Sequence, residues 1–142
     1  MREILFKAKR IDNGEWIEGS LIDLDIDSGY CYIVQPYKKA SILPIIFLIT
    51  DRMKLVDPET LCQFTGLCDK NGKKIWENDI LMANLDESYP EDVTYKTVEW
   101  GVAGWVTHEA NSIDRQYLDE FDLEHFEVVG NIFDNPELLQ EE

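Results

Sequence analysis

Two histidines, three cysteines and no apolar run of membrane-spanning length already exclude several chemistries. With only His108 and His125, and no nucleophile motif, no Ser-His-Asp arrangement is suggested. Cys62 and Cys68 are spaced too widely for a zinc knuckle, and neither histidine completes a ligand pattern. Cys31, Cys62 and Cys68 cannot all pair within one chain, so the thiols read as reduced, which fits a cytoplasmic protein. The longest apolar run, ILPIIFLI (Ile42–Ile49), is too short to cross a bilayer, carries Pro44, and reads as a buried strand. The opening MREILFKAKR lacks an apolar centre and a small-residue cleavage site, so no secretion signal is expected.

Cations are scarce in one half only. Residues 1–74 hold 11 acidic and 11 basic side chains, whereas residues 75–142 hold 18 acidic ones against two basic ones, Lys96 and Arg115. The whole net charge of −16 therefore belongs to the second half. Such a half repels phosphates, which disfavours direct nucleic-acid binding through it. Its carboxylates gather in two stretches: Asp86, Glu87, Glu91 and Asp92, then Asp119, Glu120, Asp122 and Glu124. These eight form the candidate acidic interaction surface. A solvated face that serves solubility is the plainer reading of the same residues.

What is abundant is apolar and aromatic material, 44% and 11% of 142 residues, enough for a packed core. Its pattern is that of strands. In REILFKAK, Ile4, Phe6 and Ala8 alternate with basic residues. Asn13-Gly14 is a strong hairpin signal, Ser28-Gly29 repeats the device, and Tyr30, Tyr32 and Val34 alternate after it. MKLV reads as another strand, and DPET as a turn or a short helical turn that closes the region, because proline cannot donate to a ladder. This divides the chain into an N-terminal β-meander, residues 1–57, and a core β-domain, residues 58–142, with a short helical turn at its end.

In the second part, Asp69-Lys70-Asn71-Gly72 is a turn with a mechanism: Asn and Gly tolerate positive φ, and Asp bonds the backbone that follows. A calcium loop needs regularly spaced oxygen ligands between helices, and here the flanks are strands and two lysines follow at once. A phosphate cradle fails for want of glycines and a helix. Ile75, Trp76, Ile80 and Met82 resume strands, with Asn78-Asp79 as a second turn or bulge. DVTYKTVEWG and WVTH make a hairpin around Gly101 and Gly104, in which Trp100 and Trp105 read as cross-strand packing. NSIDRQYLDEF reads either as an ordered loop or as a short helix, with Ile113, Tyr117, Leu118 and Phe121 at helical spacing and Asn111 or Ser112 as cap. HFEVVGNIF is a strand, and Asn135-Pro136 opens a final helical turn.

Four of these stretches together resemble one family. TGLCDKNGKKIWENDIL (Thr65–Leu81) resembles the signature of the YopX family, small proteins of phages and prophages, in which a TGLxDKNGKxIxExDIV-like segment recurs. REILFKAK is similar to the family's opening strand, VDPETLCQFTGL to the lead into the signature, and EVVGNIFDNPELL (Glu127–Leu139) to its closing motif. Asn78 stands where glycine is common, Lys9 where an aromatic residue is frequent, and residues 84–125 match loosely. The resemblance implies an all-β fold, mainly β with a little helix: an N-terminal β-region and a small SH3-like barrel core. It also implies a phage or prophage origin and the cytoplasm of a bacterial host. It brings no catalytic residue, cofactor or metal site.

Three function classes follow. The first is a non-enzymatic interaction module that binds a host or phage protein, with no membrane role and with self-association into a homo-oligomer through strand edges or the ILPIIFLI segment. The second is an acidic DNA mimic or anti-defence protein that occupies a basic host site. The third is a metal-dependent hydrolase, for which Asp79 with Glu99 is the pair that separate elements would have to deliver. An exposed apolar patch favours the first, a broad acidic face without a pocket the second, and a deep pocket with converging polar groups the third.

Overall fold

Alternating apolar residues and short polar turns give an all-β fold of two antiparallel sheets in this computed structural model, with 48% of the described residues in strands and 12% in helix. The structure describes residues 2–25, 29–35 and 52–140. The Ile42–Ile49 run and Ser28 lie outside these residues. Two compact units divide the chain, Met1–Phe64 and Thr65–Glu142.

In the first unit, β1 (Phe6–Lys9) and β2 (Trp16–Asp25) form the hairpin that Asn13-Gly14 encodes. Gly14 holds φ 72°, and its N–H donates to the Arg10 carbonyl at 2.9 Å. Strands β3 (Tyr30–Val34) and β4 (Met53–Val56) extend this sheet in sequence order on the far side of β2. On the other side, β1 pairs with the start of β5 (Cys62–Cys68). DPET is a 3₁₀ turn over Pro58–Thr60, capped by the Asp57 carboxylate, which accepts the Glu59 N–H. Ala8, Ile17, Cys31, Ile33 and Val56 form the core of this unit. The alternation in β3 is therefore real, and the buried side is Cys31 and Ile33; Tyr32 and Val34 stay partly exposed.

The second unit starts within β5, whose last residues hairpin into β6 (Lys74–Trp76). Then β7 (Asp79–Ala83), β8 (Thr94–Trp100), β9 (Trp105–Glu109) and β10 (Gln116–Tyr117) form a meander. The final strand, β11 (Glu127–Asn131), does not add beside β10. It crosses back to the opposite edge, against β7, so the sheet order is β10-β9-β8-β7-β11. Ile75, Leu81, Ala83, Val98 and Phe126 make the core.

The segment before β11 corrects one sequence expectation. Neither Asn111 nor Ser112 caps a helix. Gln116 and Tyr117 are captured by β9, and helix α1 spans Glu120–His125 only. Asp119 is its cap, accepting the Asp122 N–H at 3.0 Å, while Asp122 Oδ2 accepts the Asp119 N–H at 3.3 Å, a reciprocal capping box. At the end of the chain, Asn135 precedes a 3₁₀ turn over Pro136–Leu139, but its side chain is turned back to accept the Asn131 N–H at 3.2 Å.

Candidate functional site

The polar residues that attract most attention in the sequence are consumed by the fold. Asp69 is buried at the β5–β6 turn. Its Oδ1 accepts the N–H groups of Asn71 and Lys73, both at 2.9 Å, and its Oδ2 accepts that of Val128 in β11 at 2.8 Å. The Lys70 N–H reaches the Phe126 carbonyl at 3.3 Å, and the Asn71 amide reaches Glu127 at 3.1 Å. Gly72 closes the turn with φ 80°, a conformation that glycine adopts without strain. The Asp69–Gly72 hairpin is thus a clamp on β11. A carboxylate holding three backbone donors has no oxygen aimed at a ligand.

Asn78 and Asp79 are spent similarly. Asn78 holds φ 70°, its N–H donates to the Val98 carbonyl at 2.7 Å, and its carbonyl accepts the Ile132 N–H at 3.0 Å. Asn is among the few residues that tolerate this region, which explains how it replaces glycine here. Asp79 is buried and accepts the Trp76 N–H at 2.8 Å. Glu99, on β8, is ion-paired with Arg115. The hydrolase pair of the sequence reading is therefore committed elsewhere, each carboxylate to its own structural partner. Among the described residues, no group of three His, Cys, Asp or Glu side chains is placed to hold a metal ion, and no helix is long and apolar enough to cross a membrane.

The eight candidate acidic residues separate into two places. Asp86, Glu87, Glu91 and Asp92 are exposed on the β7–β8 loop. That loop is ordered by its own side chains: Asn84 accepts from the Asp86 N–H and Asp86 from the Ser88 N–H, at 3.1 and 3.0 Å. Asp119, Glu120 and Glu124 are exposed on and before α1. Asp122 is not a surface residue. It is buried, with its Oδ1 3.2 Å from Lys96 Nζ, and Lys96 also lies over the Phe126 ring at 4.8 Å. The physical reason is the capping box, which turns Asp122 inward toward a cation that β8 supplies. Both cations of residues 75–142 are consequently neutralised within the unit, Lys96 by Asp122 and Arg115 by Glu99.

The YopX family model, described as YopX protein, matches residues 5–140. The chain belongs to the YopX family. No curated protein matches it. In structure, the YopX chain is similar to protein EF1440 from Enterococcus faecalis, with a TM-score of 0.56 and 21% identity over 99% of this chain and 100% of that one. At this identity the likeness is one of fold.

The sequence reading missed an apolar cluster at the end of the β8–β9 hairpin. Trp100 and Trp105 are register partners packed edge to face, with ring centroids 5.0 Å apart. Trp100 nevertheless stays 59% exposed, and Val102 in the turn is fully exposed. Tyr117, also 59% exposed, lies on β10 with its ring beside Gly104. Ile113 is 92% exposed, and its carbonyl accepts from Arg115. Ile113 and Tyr117, at helical spacing in the sequence, are not in a helix here: Ile113 lies in the loop and Tyr117 on the edge strand β10, both in solvent.

Proposed function

We propose that this chain is a non-enzymatic interaction module of a phage or prophage, acting in the cytoplasm of a bacterial host, and that it docks onto a protein whose surface is basic and partly apolar. The observation that carries the reading is the exposed Trp100, Val102 and Tyr117 cluster, placed within residues 75–142, whose two cations are already paired. Exposed aromatic side chains at a rigid hairpin end are suited to anchor an interface. Carboxylates around them speed encounter with a basic partner and make it salt-dependent. In the same reading, the second unit has SH3-like barrel character and the chain self-associates; a monomer mass by light scattering at high concentration removes the latter.

The test is capture of host or phage protein by the immobilised chain, with V102D/Y117D and the charge variant D119N/E120Q/E124Q in parallel. The reading expects a partner that V102D/Y117D loses and that the charge variant binds more slowly, with weaker salt dependence. Equal capture by all three removes it. A partner displaced by duplex DNA, and indifferent to V102D/Y117D, supports the acidic DNA mimic instead.

A further inference from the structure

We propose that a polar cavity of about 240 Å³ in the second unit is a binding site for a guanidinium group, supplied by an arginine side chain of the partner. Lys96, Thr107, His108, Glu109, Ser112, Asp114 and Gln116 line it, and His108 faces the Glu99 carboxylate at 3.7 Å. The sheet register explains the gathering: Lys96 opposes Glu109 across β8–β9, and Thr107 opposes Gln116 across β9–β10. Strand alternation puts all four side chains on one face.

Thr107 is 1% exposed, and its Oγ1 has no hydrogen-bond partner. A buried hydroxyl without a partner is costly and uncommon, and Thr107 is one of the residues that line this polar cavity. The charges around it are uneven. Lys96 is matched by Asp122, so Glu109 and Asp114 give the cavity a negative balance. An anion would meet two carboxylates there, and an apolar group would leave Thr107 unsatisfied. A guanidinium is planar, permanently charged and rich in donors, and the two carboxylates, the Thr107 hydroxyl and the Gln116 carbonyl oxygen are acceptors. A second cavity of about 390 Å³ shares Glu109 and Ser112 and adds Val93, Tyr95, Leu138 and Leu139. It suits an apolar residue next to the arginine. That a protein supplies the group rests on the preceding reading; the chemistry of the cavity does not.

The experiment is an amide NMR titration of the full chain with N-acetyl-L-arginine amide, and with N-acetyl-L-glutamine amide as the uncharged control. The expected result is saturable shifts at Thr107, Asp114 and Gln116 with the arginine probe alone, and affinity lowered about tenfold or more in E109Q/D114N. Both substituted residues are exposed, so the fold is retained, and the dispersion of the same spectra checks it. Shifts that do not saturate, that the glutamine probe reproduces, or that E109Q/D114N leaves unchanged overturn the site. Saturable arginine binding in a chain that captures no protein through Val102 and Tyr117 keeps the site and removes the partner as its source.

Discussion

The Asp69 carboxylate accepts the Val128 N–H at 2.8 Å, joining two residues 59 positions apart in the chain. With the Asn71 and Lys73 N–H groups on its other oxygen, Asp69 ties the signature turn to the strand that completes the sheet. We expect Asp69→Ala to lower stability by about 1–3 kcal/mol, because three backbone donors in partly buried positions lose their acceptor. Asp69→Asn, which keeps one accepting oxygen, should cost less. Urea denaturation measures both, and a loss below about 0.5 kcal/mol for the alanine variant would contradict the clamp.

Asn78 takes a left-handed backbone conformation while both its backbone groups are hydrogen-bonded across the unit, so the turn cannot relax by moving. Asn78→Gly should leave stability within about 0.5 kcal/mol, and Asn78→Val should lower it by about 1–3 kcal/mol, since a β-branched residue is strained at this φ. Equal midpoints for the two variants in chemical denaturation would show that the conformation imposes no strain.

Lys96 and Asp122 are both largely removed from water, at 13% and 4% side-chain exposure. Lys96→Met strands a carboxylate in the core and should cost about 3 kcal/mol, whereas adding Asp122→Asn to it should recover part of the loss. A double-mutant cycle by denaturation reads the coupling directly. Additive losses would mean that the pair contributes nothing beyond its separate contacts.

The three thiols should differ in reactivity. Cys68 is exposed, while Cys31 and Cys62 are buried. Burial, helped by the nearby Asp23 charge, pushes the Cys31 thiol above its ordinary pKa, so little thiolate forms there at mildly alkaline pH. With a chromogenic disulfide reagent, one thiol per chain should react at once and the other two only on unfolding. Cys68→Ser should abolish the fast phase. Fast reaction of all three in the native chain would show that the first-unit core opens freely.

Local chemistry was legible in the residues themselves. Asn13-Gly14, Asp69–Gly72 and Asn78-Asp79 each settle a turn from within, because positive φ and short side-chain-to-backbone bonds involve only neighbours in the chain. Alternation then determined that the intervening segments are strands. Which side of a strand is buried was a different matter. Cys31 and Ile33 rather than the tyrosine side enter the core because Ala8, Ile17 and Val56 face them from other strands. Of the two readings of this segment, the helix from Asn111 or Ser112 fails because β9 claims Gln116 and Tyr117, a pairing with the preceding strand that outweighs helical spacing, and the helix begins after Asp119. Asp122 left the acidic surface because Lys96, 26 residues away, meets it inside. The sequence by itself determined most of the described strands, though not β10, together with the turns and the charge imbalance. Only the tertiary structure decided that β11 returns beside β7, that the signature's polar groups are consumed there, and that Trp100, Val102 and Tyr117 are left to solvent, because each depends on which distant segment arrives to satisfy or cover a group.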